Sequence, residues 1–249
     1  MELSAFSPGT LVGPYEIQRT LGKGGMGVVF RAQHRKTGEL VALKTVKSAN
    51  PQLLSSIRRE IQRLRRLSHP GVVRIRDDGV HDSFPWYTMD LYECDTWEQM
   101  FEPRRTSSIP GGRYSPSKFA ETAVMETQTP STPSDPDQVV LVRDHLGPLD
   151  PDALPEVLRR TQRLCDVLSY IHGEGVVHRD LKPGNVFLPG ADRTVLVDFG
   201  LVVAYFGSDG REVLQIAPSL AGTVAYMSPE QLRGDHIDAR SDLFSLGCM

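Results

Sequence analysis

The stretch His178-Arg179-Asp180-Leu181-Lys182-Pro183-Gly184-Asn185 decides the fold. It sets a carboxylate, an ammonium and a carboxamide within six residues, with Pro183 and Gly184 to break any regular element there. Downstream, the apolar run Thr194 to Val197 ends in Asp198-Phe199-Gly200. A carboxylate at a strand end followed by glycine is a usual metal-ligand placement, and equally a usual turn. Asp198 and Asn185 together offer hard oxygen ligands suited to Mg2+. Upstream, Pro151 to His172 carries the strongest helical period in the chain. Leu154, Val157, Leu158, Leu164, Cys165, Leu168 and Ile171 are expected on one face, with Asp150 or Asp152 as cap.

The first third of the chain reads as strands. Tyr15 to Leu21 alternates, a glycine cluster follows, and Val28 to Ala32 and Leu40 to Val46 continue the pattern. Asn50-Pro51 signals a helix start, with Ile57, Ile61, Leu64 and Leu67 at helical spacing until His69-Pro70-Gly71 stops them. Val72 to Ile75 and Trp86 to Met89 read as further strands. Residues 1–13 read as a loose lead-in.

Leu21 leads into Gly22-Lys23-Gly24-Gly25-Met26-Gly27, a G-x-G-x-x-G pattern whose bare backbone can approach phosphate oxygens. A dinucleotide-binding loop would open a helix and meet an acidic residue about 20 positions on. Here the pattern runs into the strand Val28-Val29-Phe30, and Lys44 stands near that distance, so a glycine-rich hairpin over phosphates fits better. Lys44 closes Val41-Ala42-Leu43-Lys44; an inward charge at the end of an apolar strand needs an anionic partner. Glu60, at the edge of the helix's apolar face, is the candidate, while Arg58, Arg59, Arg63, Arg65 and Arg66 spread over the polar side.

Composition narrows the class. The 249 residues are 39% hydrophobic and 24% charged, as in an ordinary globular protein. A net charge of −3 argues against a dedicated nucleic-acid binder. Cys94, Cys165 and Cys248 form no CxxC pattern, so neither a disulfide framework nor a zinc site is expected and a reducing compartment fits best. No apolar run approaches the ~18–20 residues of a membrane helix, and the N-terminus lacks a signal-peptide pattern.

In this order, the glycine cluster, Val-Ala-Leu-Lys, the helix glutamate, His178 to Asn185, Asp198-Phe199-Gly200 and Ser228-Pro229-Glu230 resemble the protein kinase family. The likeness is to the bacterial branch of eukaryotic-like (Hanks-type) Ser/Thr kinases, from about Tyr15 to the last residue apart from an insert. It implies an α+β, two-lobed fold: a β-rich N-lobe with one main helix and a helical C-lobe cut off within its central helix. The implied domains are a lead-in over 1–13, an N-lobe and hinge over 14–93, and a partial C-lobe over 94–249. A Pro/Ser/Thr-rich insert over about 102–146 interrupts the C-lobe, with Val139 to Val142 as a short strand or its anchor.

The resemblance also implies roles. Leu21 and Gly22 to Gly27, including Lys23, Gly25 and Met26, would cover ATP. Lys44 would hold the α- and β-phosphates, oriented by Glu60. Val29, Ala42 and Phe187 would sandwich the adenine, with Met89 behind it and the backbone of Asp90 and Tyr92 bonded to the base. Asp180 would receive the acceptor proton, Lys182 would steady the γ-phosphoryl group, and Asn185 and Asp198 would hold Mg2+, for which Mn2+ can substitute. Leu64, His178 and Phe199 would stack into an apolar column, and Asp242 would brace the backbone at His178-Arg179. Lys182 and Thr223, in Gly222-Thr223-Val224-Ala225-Tyr226, match the Ser/Thr form. Arg179 implies control by activation-segment phosphorylation, for which Ser219 is the candidate site; Thr223 reads as structural more than regulatory.

The implied function is an ATP-dependent protein Ser/Thr kinase acting in signalling on protein substrates, cytoplasmic for the kinase domain, with membrane anchoring and oligomeric state left open. A pseudokinase scaffold and a small-molecule phosphotransferase are the alternatives. No key polar residue is missing, against the first; Lys182, Thr223 and Ser228-Pro229-Glu230 speak against the second. Ser241 to Met249 resembles the start of a buried central helix, so the 249 residues alone are expected to be unstable or aggregation-prone, and inactive for lack of a complete C-lobe.

Overall fold

The structure, a computed structural model, describes residues 6–24, 27–46, 54–82, 84–100, 153–200 and 224–249. Its larger sheet is antiparallel throughout: β1 (Leu11–Val12), β2 (Tyr15–Gly24), β3 (Gly27–His34), β4 (Leu40–Val46), β5 (Ile75–His81) and β6 (Phe84–Asp90) lie in the order β1-β2-β3-β4-β6-β5. Leu40 alone in β4 is exposed, because apolar layers cover both of that strand's faces. One layer contains Ile17, Val28, Phe30, Val41, Leu43 and Trp86. The other continues through helix α1 (Leu54–Arg65) into the second lobe.

Ile57, Ile61 and Leu64 sit on the buried stripe of α1, with Leu67 just beyond it, and the helix packs on β5 and β6. Its expected Asn50-Pro51 start lies outside the described residues. Val72 and Val73 depart from expectation. Val72 bridges to Leu196 and not to the large sheet, with Val73 N–H 3.0 Å from the Leu196 carbonyl and Leu196 N–H 2.8 Å from that of Gly71. The strand proper starts at Ile75. It is a polar edge strand with one flank unpaired, so Arg76, Asp77 and Asp78 hide its period.

The lead-in also differs from its reading. Phe6 is buried against Phe30 and Phe84, with ring centroids 6.0 and 5.8 Å away, and Leu11–Val12 pairs with β2. An aromatic side chain covering an otherwise open sheet face anchors residues that look like a tail.

The second lobe begins with the short helix α2 (Trp97–Met100), followed by α3 (Leu154–Gly173). Arg160, Leu164, Val167, Leu168 and Ile171 make the buried face of α3. Leu154, Leu158 and Cys165, expected on that face, are exposed. Arg160 takes the place because its guanidinium is satisfied there, by Glu156 at 2.5 Å and by the Gly190 and Arg193 carbonyls at 3.3 and 3.5 Å. The cap Asp150 or Asp152 lies outside the described residues, as do the insert and Val139 to Val142. A two-stranded ribbon, β7 (Val186–Phe187) with β8 (Val195–Leu196), follows the His178 to Asn185 loop. The helices α4 (Pro229–Arg233) and α5 (Ala239–Gly247) complete the described chain. Among the described residues, no helix is long and apolar enough to cross a membrane, and the three cysteines are free thiols.

Candidate active site

The loop between α3 and β7 is held in a conformation it would not choose alone. Arg179 has φ 68°, a left-handed backbone unusual for a side chain with a Cβ. Asp242, on α5 and 1% exposed, accepts from His178 N–H at 2.8 Å and from Arg179 N–H at 2.9 Å. His172 Nε2 lies 2.8 Å from the same carboxylate. From the other side, Gln231 Nε2 donates to the Arg179 carbonyl at 2.8 Å, and Gly200 N–H donates to that of His178 at 3.0 Å. These bonds outweigh a backbone cost of about 1–3 kcal/mol.

So held, Asp180 presents its carboxylate to two partners. Lys182 Nζ lies 2.9 Å from Oδ2 and 3.2 Å from Oδ1, and Asn185 Nδ2 donates to Oδ2 at 3.0 Å and to the Asp180 carbonyl at 2.7 Å. Asp180 and Asn185 are buried, and Lys182 is partly so. His178 is fully buried against Phe199, 4.7 Å between ring centroids, and its Nε2 lies 2.9 Å from the Val197 carbonyl. Burial pushes the His178 imidazole below its usual range, against the pull of Asp242. Leu64 joins the same apolar cluster as Phe199.

The sheet supplies the opposite wall. Lys44 is 5% exposed and reaches across to ion-pair with Asp198, which itself has φ 61°. Desolvation lowers the Lys44 ammonium from 10.5 to about 8, with the Asp180 carboxylate opposing and Lys182 adding to the drop. The expected Lys44–Glu60 pair is corrected here. Glu60 is half-buried on α1, and the two make no ion pair within 4.0 Å. A buried ammonium requires a carboxylate, and the left-handed turn at Asp198 delivers one directly.

The glycine stretch joins the paired strands β2 and β3, and β3, not a helix, follows it. Gly22 pairs with Val29, Lys23 with Val28 and Gly24 with Gly27. At Gly27, φ is 152° and an added Cβ would stand 1.8 Å from the Thr45 carbonyl oxygen, so the position admits only glycine. Val29, Leu21 and Phe187 pack half-buried against the cluster that contains Ala42 and Met89. Asp90 ends β6, and Tyr92 follows with its ring 6.1 Å from that of Phe187. Gly25, Met26, Ser219 and Thr223 lie outside the described residues.

Gln231 and His172 were not anticipated. The Ser228/Gln231 capping box is written in the sequence as S-x-x-Q, but its second use, gripping Arg179, is not. Glu230 accepts from Ser241 Oγ at 2.5 Å, which holds its carboxyl below the usual range.

Comparison with known proteins agrees with this arrangement. The family described as "Protein kinase domain" matches residues 15–116 and 149–249. A probable serine/threonine-protein kinase of Streptomyces coelicolor is 30% identical over 250 residues, covering 97% of this chain and 30% of its own length. The DNA damage-responsive serine/threonine-protein kinase RqkA of Deinococcus radiodurans is 34% identical over 249 residues, covering 98% of this chain and 30% of its own. The chain thus spans about a third of the length of the curated relatives it matches. The solved kinase domain of Mycobacterium tuberculosis PknI shares the fold, with TM-score 0.60 and 24% identity over 97% of this chain and 74% of that one. On the family match, the chain belongs to the protein kinase family, and the bacterial relatives it is similar to are serine/threonine-protein kinases.

Proposed function

We propose that the chain transfers the γ-phosphoryl group of ATP to serine and threonine hydroxyls of proteins, as a signalling kinase with an N-lobe and hinge to residue 93 and a C-lobe from residue 94. The observation that carries this reading is one cluster: Asp180 gripped by Lys182 and Asn185, with Lys44 reaching in from the sheet to pair with Asp198. Phosphoryl transfer asks a protein for positioning and charge neutralisation more than for covalent help. The hairpin backbone at Gly22, Gly24 and Gly27 covers the phosphates, and Lys44 neutralises the α- and β-phosphates. Asp180 orients the acceptor hydroxyl and takes its proton as the oxygen attacks the γ-phosphorus and the bond to the β-phosphate oxygen breaks. Lys182, already beside Asp180, steadies the γ-phosphoryl group as it transfers. Val29, Ala42, Phe187 and Met89 enclose the adenine, and the Asp90 and Tyr92 backbone bonds it.

The donor set fits a divalent metal. The Asn185 amide nitrogen is spent on Asp180, which leaves its oxygen as one donor, and the Asp198 carboxylate offers another. Mg2+, or Mn2+ in its place, would be held by these oxygens together with substrate phosphates. When bound, the metal neutralises phosphate charge. Arg179, adjacent to Asp180, is the residue through which a phosphorylated activation segment would act, with Ser219 as its candidate site.

Asp180→Asn tests the reading. The variant should transfer radiolabelled phosphate from ATP to a generic protein substrate about 10²–10⁴ times more slowly, as expected for a positioned acid–base group. Transfer at the unaltered rate would overturn it.

A further inference from the structure

The segment that follows β6, Asp90 to Glu93, has no ladder beyond Asp90, yet the proposed adenine contacts depend on its backbone. Arginines from β3, from β5 and from the turn before β8 hold it, with a fourth on β2 nearby. Arg76, on β5, donates Nε to Asp90 Oδ1 at 2.5 Å and a terminal nitrogen to Glu39 Oε1 at 2.6 Å. Arg31, on β3, donates to Glu93 Oε1 at 3.0 Å, with Arg19 of β2 at 3.8 Å from the same oxygen. Arg193, in the turn before β8, donates to the Tyr92 hydroxyl at 3.3 Å and to the Pro70 carbonyl at 3.1 Å. Its guanidinium carbon stands 5.8 Å from the centre of the Tyr92 ring, which leans on Phe187.

We infer that Arg31, Arg76 and Arg193 are positioning residues for adenine recognition, fixing the Asp90–Glu93 segment through its side chains. This rests on the nucleotide reading of the site and deepens it. Arg76 and Arg193 each bridge the segment to a second group, Glu39 and the Pro70 carbonyl, in the forked way a guanidinium allows. Isolated exposed ion pairs contribute little, but here the side chains meet three residues of one four-residue segment, so their effects on it combine. None of the three touches the reacting atoms. Their effect reaches the base only through the Asp90 and Tyr92 backbone.

The test separates the base from the phosphates. Adenosine and Mg-tripolyphosphate are titrated calorimetrically against the full chain, against Arg31→Gln, Arg76→Gln and Arg193→Gln, and against the triple variant. Each single change should weaken adenosine about two- to fivefold and the triple about tenfold, with tripolyphosphate held within about twofold. In steady state, KM for ATP should rise at constant kcat. Adenosine is uncharged, so salt acts on its affinity through the protein's own ion pairs; raising ionic strength should weaken it in the wild type and not in the triple variant. Unchanged adenosine binding in the triple variant overturns the inference. So does an equal loss for both probes together with a lowered urea midpoint, which marks a general loss of structure. If the triple variant fails to fold, the ratio of the two probes in the single variants decides. A wild type that binds tripolyphosphate but not adenosine fails the nucleotide reading itself, and the inference falls with it.

Discussion

Asp242 offers the sharpest test of how the Asp180 loop is held. The Asn variant keeps size and shape but has one acceptor oxygen where the carboxylate has two. Oδ1 and Oδ2 now take the N–H groups of Arg179 and His178 at 2.9 and 2.8 Å. An amide can serve one of them and turns an NH2 toward the other, so at least one buried donor loses its partner. An unsatisfied buried group costs about 1–3 kcal/mol, and losing charge assistance on the remaining bond adds to it, so about 3 kcal/mol is expected in all. Part of that is recovered if Arg179 leaves φ 68° for a relaxed backbone, but the move displaces Asp180. A displacement of about 1 Å at a reacting group costs on the order of 10² in rate. Urea denaturation should therefore show lower stability, amide exchange at His178 and Arg179 should accelerate, and kcat should fall about a hundredfold. KM for ATP should stay near its wild-type value, because Asp242 touches the loop and not the glycine hairpin. An Asn variant whose two amides exchange as slowly as before, with kcat within about threefold, would refute the reasoning.

Lys44, with a folded pKa of about 8 against 10.5 unfolded, predicts two opposed pH slopes. Nucleotide affinity should fall as pH rises through about 8, since the neutral amine no longer pairs with phosphate, and a Lys44→Arg variant should lack that limb. Between about 8 and 10.5 the unfolded chain binds more protons at this site, so Lys44's contribution to folding stability should rise with pH across the same range; a Lys44→Met variant whose stability keeps the wild-type slope there would count against burial as the cause. Gly27→Ala should cost more stability in urea than Gly24→Ala, because the new Cβ meets the Thr45 carbonyl at 1.8 Å at one site and nothing within 4 Å at the other; equal losses would mean that the hairpin is not built as described.

What was legible in the sequence, and what was not, follows from where each residue's partner lies. The strands β2 to β4 and the buried stripe of α1 are local periods, and local periods can be read. The loop carboxylate, its lysine and its asparagine lie within six residues, so their mutual bonding was foreseeable from spacing. Lys44 was recognisable as a charge needing a partner, but which carboxylate meets it depends on how the turn at Asp198 folds under the sheet, and the wrong one was expected. Phe6 looked like part of a tail because its partners Phe30 and Phe84 are far along the chain. Arg160 is the clearest case. Hydrophobic period puts an arginine on the solvent side, yet two backbone carbonyls about thirty residues later satisfy it, and the apolar Leu154 and Leu158 are left exposed instead. Gln231 and the three arginines around Asp90 to Glu93 act in the same way, each meeting a carbonyl, carboxylate or hydroxyl from another element. The residues that perform the proposed chemistry are therefore written as short motifs, whereas several of those that hold them in place are ordinary polar residues whose meaning exists only after the chain has folded.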